Sequence, residues 1–119
     1  MTTRELIRKA QVHVPEEDWE DIVRRIVEVA HPEKIILFGS AVKGTMDQNS
    51  DLDLLVIKRG DYHTITAAQE IYDNFEGVKY AIDIIVTTPE KVEQYGGCFA
   101  LVLYPALKEG RVIYDHGAV

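Results

Sequence analysis

The chain has 119 residues, enough for one domain and its core. At 46% hydrophobic and 28% charged residues it has a globular balance, not a disordered or fibrous one, and no apolar run nears the roughly 20 residues of a membrane span. Thirteen basic against twenty acidic residues give a net charge of −7, which argues against nucleic acid or an anionic membrane as a bulk partner and favours a basic protein.

Thr3 to Gln11 reads as a short helix with Leu6, Ile7 and Ala10 on one side. Pro15 opens a stronger one, in which Trp19, Ile22, Val23, Ile26, Val27 and Ala30 recur at the spacing of a core-facing stripe. His31-Pro32 ends it, because the residue before proline is pushed out of the helical region. Lys34 to Phe38 is a short continuous apolar run that stops at Gly39-Ser40, the pattern of a buried strand. Residues 43–50 are turn-rich and predict a loop.

Asp51 to Lys58 predicts a second strand, closed by Arg59-Gly60. Thr64 to Phe75 predicts a helix with Ile65, Ala68, Ile71, Tyr72 and Phe75 inward, and Tyr80 to Thr87 a third strand. Thr88-Pro89 marks a helix start, Thr88 as cap and Pro89 at the first helical position. After Gly96-Gly97 an apolar helix is expected over Phe99 to Leu107, followed by a short strand from Arg111 to Tyr114. The fold class is therefore α/β or α+β, a small mixed β-sheet with helices packed on it. Residues 1–33 are expected to supply N-terminal helices lying on a core of residues 34–119, one domain in all. The segment before Pro15 is too poor in apolar residues for a core of its own; docking on the sheet, exchange within a homo-oligomer and contact with a partner stay open.

Three aspartates stand inside the apolar strands. The two-residue period puts Asp51 and Asp53 on one face of their strand and Leu52, Leu54 and Val56 on the other, and Asp83 interrupts Ile82 to Val86 in the same manner. Carboxylates so close together repel, and burying one without a partner costs several kcal/mol, so a cation is expected among them. Oxygen ligands with no Cys or His nearby favour Mg²⁺ or Mn²⁺ over zinc. The plainer alternative is that Asp51 caps the start of its strand and Asp83 pairs with Lys79 or Arg59. Gly39-Ser40, at the end of the first strand, offers backbone N–H groups and a hydroxyl to phosphate oxygens, and ten residues separate Ser40 from Asp51.

The remaining reactive side chains carry less. His13, His31, His63 and His116 are scattered and read as surface residues. The single Cys98 excludes an internal disulfide, and a reducing cytoplasmic setting is the default. Tyr95, Phe99, Tyr104 and Tyr114 read as core aromatics.

Gly39-Ser40, Asp51-x-Asp53 and Asp83 resemble the signature of the nucleotidyltransferase superfamily that includes DNA polymerase beta. The small size is similar to its minimal nucleotidyltransferase branch, often encoded beside a HEPN-domain protein in prokaryotic toxin–antitoxin pairs. The resemblance spans about Lys34 to Tyr114. It implies that Asp51 and Asp53 hold two Mg²⁺ ions on the triphosphate of ATP, that Asp83 shares one and helps orient or deprotonate the attacking hydroxyl, and that Gly39 and Ser40 bind the outgoing pyrophosphate. Family members frequently carry Arg after Gly-Ser where this chain has Ala41-Val42-Lys43-Gly44, so Lys43 would keep one positive charge there without arginine's fork. With little material for an acceptor pocket, the acceptor is expected to come with another protein. The implied function is transfer of AMP to a hydroxyl of a HEPN toxin, tyrosine being the expected one, by an antitoxin. An antitoxin acting by contact alone and a transferase for a small-molecule acceptor are the alternatives.

Overall fold

The computed structural model describes residues 15–38, 52–91 and 110–116. Helix α1 (Glu16–Ala30) is the amphipathic segment expected after Pro15. The Pro15 carbonyl accepts from the N–H groups of Asp18 (3.0 Å) and Trp19 (3.1 Å). Glu16, Glu17 and Asp18 fill the first turn, where the helix dipole favours negative charge. At the other end His31 adopts a left-handed conformation (φ 49°), its N–H returning to Val27 O at 3.1 Å, and Pro32 bars continuation. Lys58 donates from Nζ to the terminal Ala30 carbonyl at 2.7 Å, tying this helix end to the sheet.

Strands β1 (Lys34–Phe38), β2 (Leu52–Ile57), β3 (Ile82–Thr87) and β4 (Arg111–Asp115) form one mixed sheet in the order β3-β2-β1-β4. Strand β1 runs antiparallel to both neighbours, whereas β2 and β3 are parallel and joined through helix α2 (Thr64–Asp73). The β1–β4 register slips between Ile35 and Ile36, so Ile113 is the extra residue of a bulge, and its side chain is fully buried. Thr88 caps the helical turn at residues 89–91 as expected, accepting from Lys91 N at 3.1 Å.

Strand alternation sorts the apolar residues into two sets. Ile35, Leu37, Leu52, Leu54, Val56, Ile82, Ile84 and Val86 pack with Trp19, Ile22 and Ile26 of α1 and Ala67 and Ile71 of α2 in the main core. Ile36, Leu55 and Ile57 face the other way and form a second, smaller buried cluster with Phe38, Ile85 and Val112 against it. Among the described residues no helix is long and apolar enough to cross a membrane.

Helix α2 follows the expected pattern in part, Ile71 being buried and Ala68, with Phe75 just beyond the helix, packing on the main core. It buries Ala67 and Ile71, while Ile65 is 72% exposed and Tyr72 39% exposed. A ten-residue helix offers two overlapping apolar stripes, and the polar end of Tyr72 selects between them: its hydroxyl accepts from Ile84 N at 2.7 Å, which holds the ring at the edge of β3. The third strand also begins at Ile82, two residues later than expected, because Tyr80 turns to α1 and donates to Asp18 Oδ2 at 2.6 Å. The helices expected over Thr3–Gln11 and Phe99–Leu107 and the loop of residues 43–50 lie outside the described residues.

Candidate active site

Register brings the described aspartates together. Asp53, the second residue of β2, is paired with Asp83, the second residue of β3, and on its other side with Phe38, the last residue of β1. Adjacent strands lie about 4.8 Å apart and paired residues point to the same face, so Phe38, Asp53 and Asp83 form a row across three strands. The row stands at the end of the sheet where β1 finishes and β2 and β3 begin, on the face turned away from α1 and α2.

Behind the row come Ile36, Leu55 and Ile85, again in register, and Leu55 is fully buried. This apolar floor fixes the carboxylates, because slipping either strand by one residue would send Asp53 or Asp83 into the main core. Asp53 is half-buried and Asp83 exposed. The expectation of buried carboxylates is thus corrected for Asp83, which lies on an edge strand and faces away from the helices.

The two cations offered as alternative partners for Asp83 make ion pairs with other carboxylates. Lys79 reaches Asp18 at 3.6 Å, and Arg59 bonds Glu33 at 2.6 Å and approaches Glu90 at 3.5 Å. Like charges on neighbouring strands destabilise one another, and their oxygens suit a hard divalent cation. The donor chemistry of Asp53 and Asp83 therefore fits Mg²⁺ or Mn²⁺. Among the described residues no group of three His, Cys, Asp or Glu side chains forms a metal cage. The expected third carboxylate, Asp51, lies outside the described residues, as do Gly39, Ser40 and Lys43. In the sequence Gly39 follows Phe38 and Asp51 precedes Leu52.

The three described histidines are exposed, as expected; His63 serves as the N-cap of α2, its Nδ1 accepting from Thr66 N at 3.4 Å. Phe38 was the part of the row that sequence reading passed over. Its signal was its position, the last apolar residue before Gly39-Ser40.

The fold is that of a nucleotidyltransferase domain. Residues 20–117 match the family described as the nucleotidyltransferase domain of polymerase beta, and the chain belongs to that family. Its fold is similar to that of a Sulfolobus solfataricus protein assigned as a nucleotidyltransferase, with a TM-score of 0.60 and 16% identity over 98% of this chain and 91% of that one. It is also similar to a chain of a toxin–antitoxin structure containing AMP-PNP, with a TM-score of 0.54 and 18% identity over 81% of this chain and 73% of that one. Comparison with curated proteins gives no match.

Proposed function

We propose that the chain transfers AMP from ATP to a hydroxyl of a partner protein, a HEPN-type toxin whose tyrosine is the acceptor, and so acts as an antitoxin. In this reading residues 34–119 are the catalytic core and residues 1–33 pack on it. The observation that carries the proposal is the register of Asp53 against Asp83. The likeness to a toxin–antitoxin chain solved with AMP-PNP supports the choice of nucleotide and of a protein partner.

Asp51 and Asp53 would hold two Mg²⁺ ions, with Asp83 sharing one of them. Bound there, the metal supplies positive charge that neutralises the phosphates and fixes their orientation. Asp83, the exposed member of the pair, faces the incoming acceptor and takes the proton of its hydroxyl on a carboxylate oxygen. The acceptor oxygen then bonds to the α-phosphorus as the bond from that phosphorus to the oxygen bridging to the β-phosphate breaks. Pyrophosphate leaves, its oxygens met by the Gly39 N–H and the Ser40 hydroxyl, with Lys43 adding charge. Phe38, paired with Asp53, and Leu55, two residues on, share its face of the sheet.

The test follows label from ATP marked at the α-phosphate into protein, with Mg²⁺ and lysate of the source cell. Asp53→Asn should lower incorporation by about a hundredfold or more, since metal charge stabilisation amounts to several kcal/mol and each 1.36 kcal/mol is tenfold. Its thermal unfolding is measured alongside, so that a loss of incorporation is not mistaken for a loss of fold. Unchanged neutralisation of the partner by Asp53→Asn would overturn catalysis and favour an antitoxin acting by contact, a reading the −7 charge also accommodates.

A further inference from the structure

Beside the aspartate row, a groove of about 290 Å³ runs between α2 and the edge strand β3. Ile65, Ala68 and Tyr72 line it from the helix, and Ile84, Ile85 and Val86 from the strand. Ile65 and Tyr72 are the exposed large hydrophobic residues among those described, and both line this groove. Exposed apolar surface gathered in one concavity marks an interaction site more often than apolar residues scattered singly.

Its position ties it to the proposed chemistry. Ile84 and Val86 face the helices, whereas Ile85 lies on the opposite face with Asp83, two residues further along the strand. Ile84 follows Asp83 directly in the strand, and Ile85, on Asp83's own face, lies about 7 Å along it at about 3.3 Å per residue. Only a chain that lies along β3 and crosses its edge at Ile85 reaches the side of the sheet that carries Asp83.

Charge and hydrogen bonding select the occupant. The side chains lining the groove are uncharged, and the exposed carboxylates of Asp61, Glu70 and Asp73 stand on or just before α2 around it. A second copy would bring the same carboxylates and a second −7 charge against them. It would also have to displace Tyr72, whose hydroxyl already takes the Ile84 N–H that an added strand would use. The groove is thus built to take side chains rather than to extend the sheet.

We propose that this groove docks the acceptor polypeptide, a partner segment with aliphatic or aromatic side chains in the groove and Lys or Arg on its flanks, and that docking delivers its hydroxyl to Asp83. The proposal rests on the transfer reading above, and the bonds made and broken are those written there.

The probes are two labelled synthetic peptides with a Leu-Tyr-Leu centre, one flanked by lysines and the other by glutamates, titrated by fluorescence anisotropy. The lysine-flanked peptide should bind the parent protein, and the glutamate-flanked one about tenfold more weakly or worse. Ile65→Ser, neutral and at an exposed position, should weaken the lysine-flanked peptide by about tenfold, a change of about 1.4 kcal/mol. Asp53→Asn should bind it as the parent does, because docking precedes chemistry. Absence of binding at millimolar peptide, equal binding of both peptides, or no effect of Ile65→Ser overturns the groove. So does a dimer in solution that Ile65→Ser dissociates. The two readings fail separately. Partner labelling with docking indifferent to Ile65→Ser keeps transfer and removes the groove; docking that Ile65→Ser weakens, with no acceptor ever labelled, removes transfer and keeps the groove as a docking surface.

Discussion

Leu54 and Leu55 are neighbours in β2 and both are fully buried, yet they belong to different parts of the molecule. Leu54 points into the main core beneath α1 and α2, with Leu37 and Ile84 beside it in register. Leu55 points into the smaller cluster on the opposite face, one row behind Asp53 and Asp83. One face is apolar along the length of β2, and the other exchanges apolar residues for carboxylates where β1 ends. A sheet can hold charges at fixed spacing when its other face supplies most of the stability, and the alternation of the strands keeps the two tasks apart.

Truncating the two leucines measures that division. Leu54→Ala should cost about 4 kcal/mol, the upper part of the range for a leucine removed from a large core, where the surroundings close only partly over the void. Leu55→Ala should cost about 2–3 kcal/mol, because a smaller cluster has fewer side chains to strand. Urea unfolding followed by the fluorescence of Trp19 gives both values, since that indole is fully buried in the main core. Equal losses would break the comparison and make the aspartate-bearing face an equal contributor to stability.

The next effect concerns how the helical face is closed. Arg25 on α1 donates from Nη1 to the carbonyls of Asn74 (2.9 Å) and Glu76 (2.8 Å), just beyond the end of α2, and Asn74 Nδ2 returns a bond to Arg25 O at 3.0 Å. The same guanidinium bonds Asp21 at 2.9 Å, but that carboxylate is 41% exposed. Arg25→Met should therefore cost about 1–3 kcal/mol through the carbonyls it leaves unmet. Asp21→Asn should cost less than about 1 kcal/mol, as is usual for exposed ion pairs. Thermal unfolding of the two variants separates them. A larger loss for Asp21→Asn would place the tie in the surface charges instead.

Much of this arrangement could be read before any coordinates. The stripe from Trp19 to Ala30, the stop at His31-Pro32 and the apolar runs of β1 to β3 each follow from a single local period, and such periods survive packing. Asp53 and Asp83 stood out because a charge within an apolar strand demands a reason. Their direct pairing was not legible: it depends on β2 and β3 being parallel neighbours in this register, a long-range choice. The inward side of α2 was legible in part: Ile71 is buried and Ala68 and Phe75 pack on the main core as expected, whereas Ile65 and Tyr72 are exposed and Ala67 is buried instead. What decides is the bond from Ile84 N to the Tyr72 hydroxyl, which no pattern within residues 64–75 encodes. The partners chosen by Lys79 and Arg59 have the same origin, as Asp18 and Glu33 reach them only through the packing of α1 and β1.

The smallest expected effect is one of pH, and it too belongs to the helical face. Tyr80, bonded to Asp18 Oδ2, has its phenol pushed above the ordinary tyrosine value, first by that hydrogen bond to a carboxylate and then by burial. Tyr62 shifts in the same direction, first through burial and then through the charge of Glu90, and its hydroxyl donates to the carbonyls of Lys58 (2.7 Å) and Thr87 (2.9 Å). Both rings pack against the main core. A phenol that holds its proton more tightly in the folded chain contributes stability that is fully present below the unfolded value of about 10. That contribution is lost as pH rises through the folded value, where the native state gives up its proton as well. Melting temperature should thus fall above about pH 10, and Tyr80→Phe and Tyr62→Phe should each flatten the fall. Tyrosinate absorbance should lose one late-ionising group in each variant. If both variants keep the parent's slope, the alkaline loss arises elsewhere and the helical face has no titrating bonds at its margin.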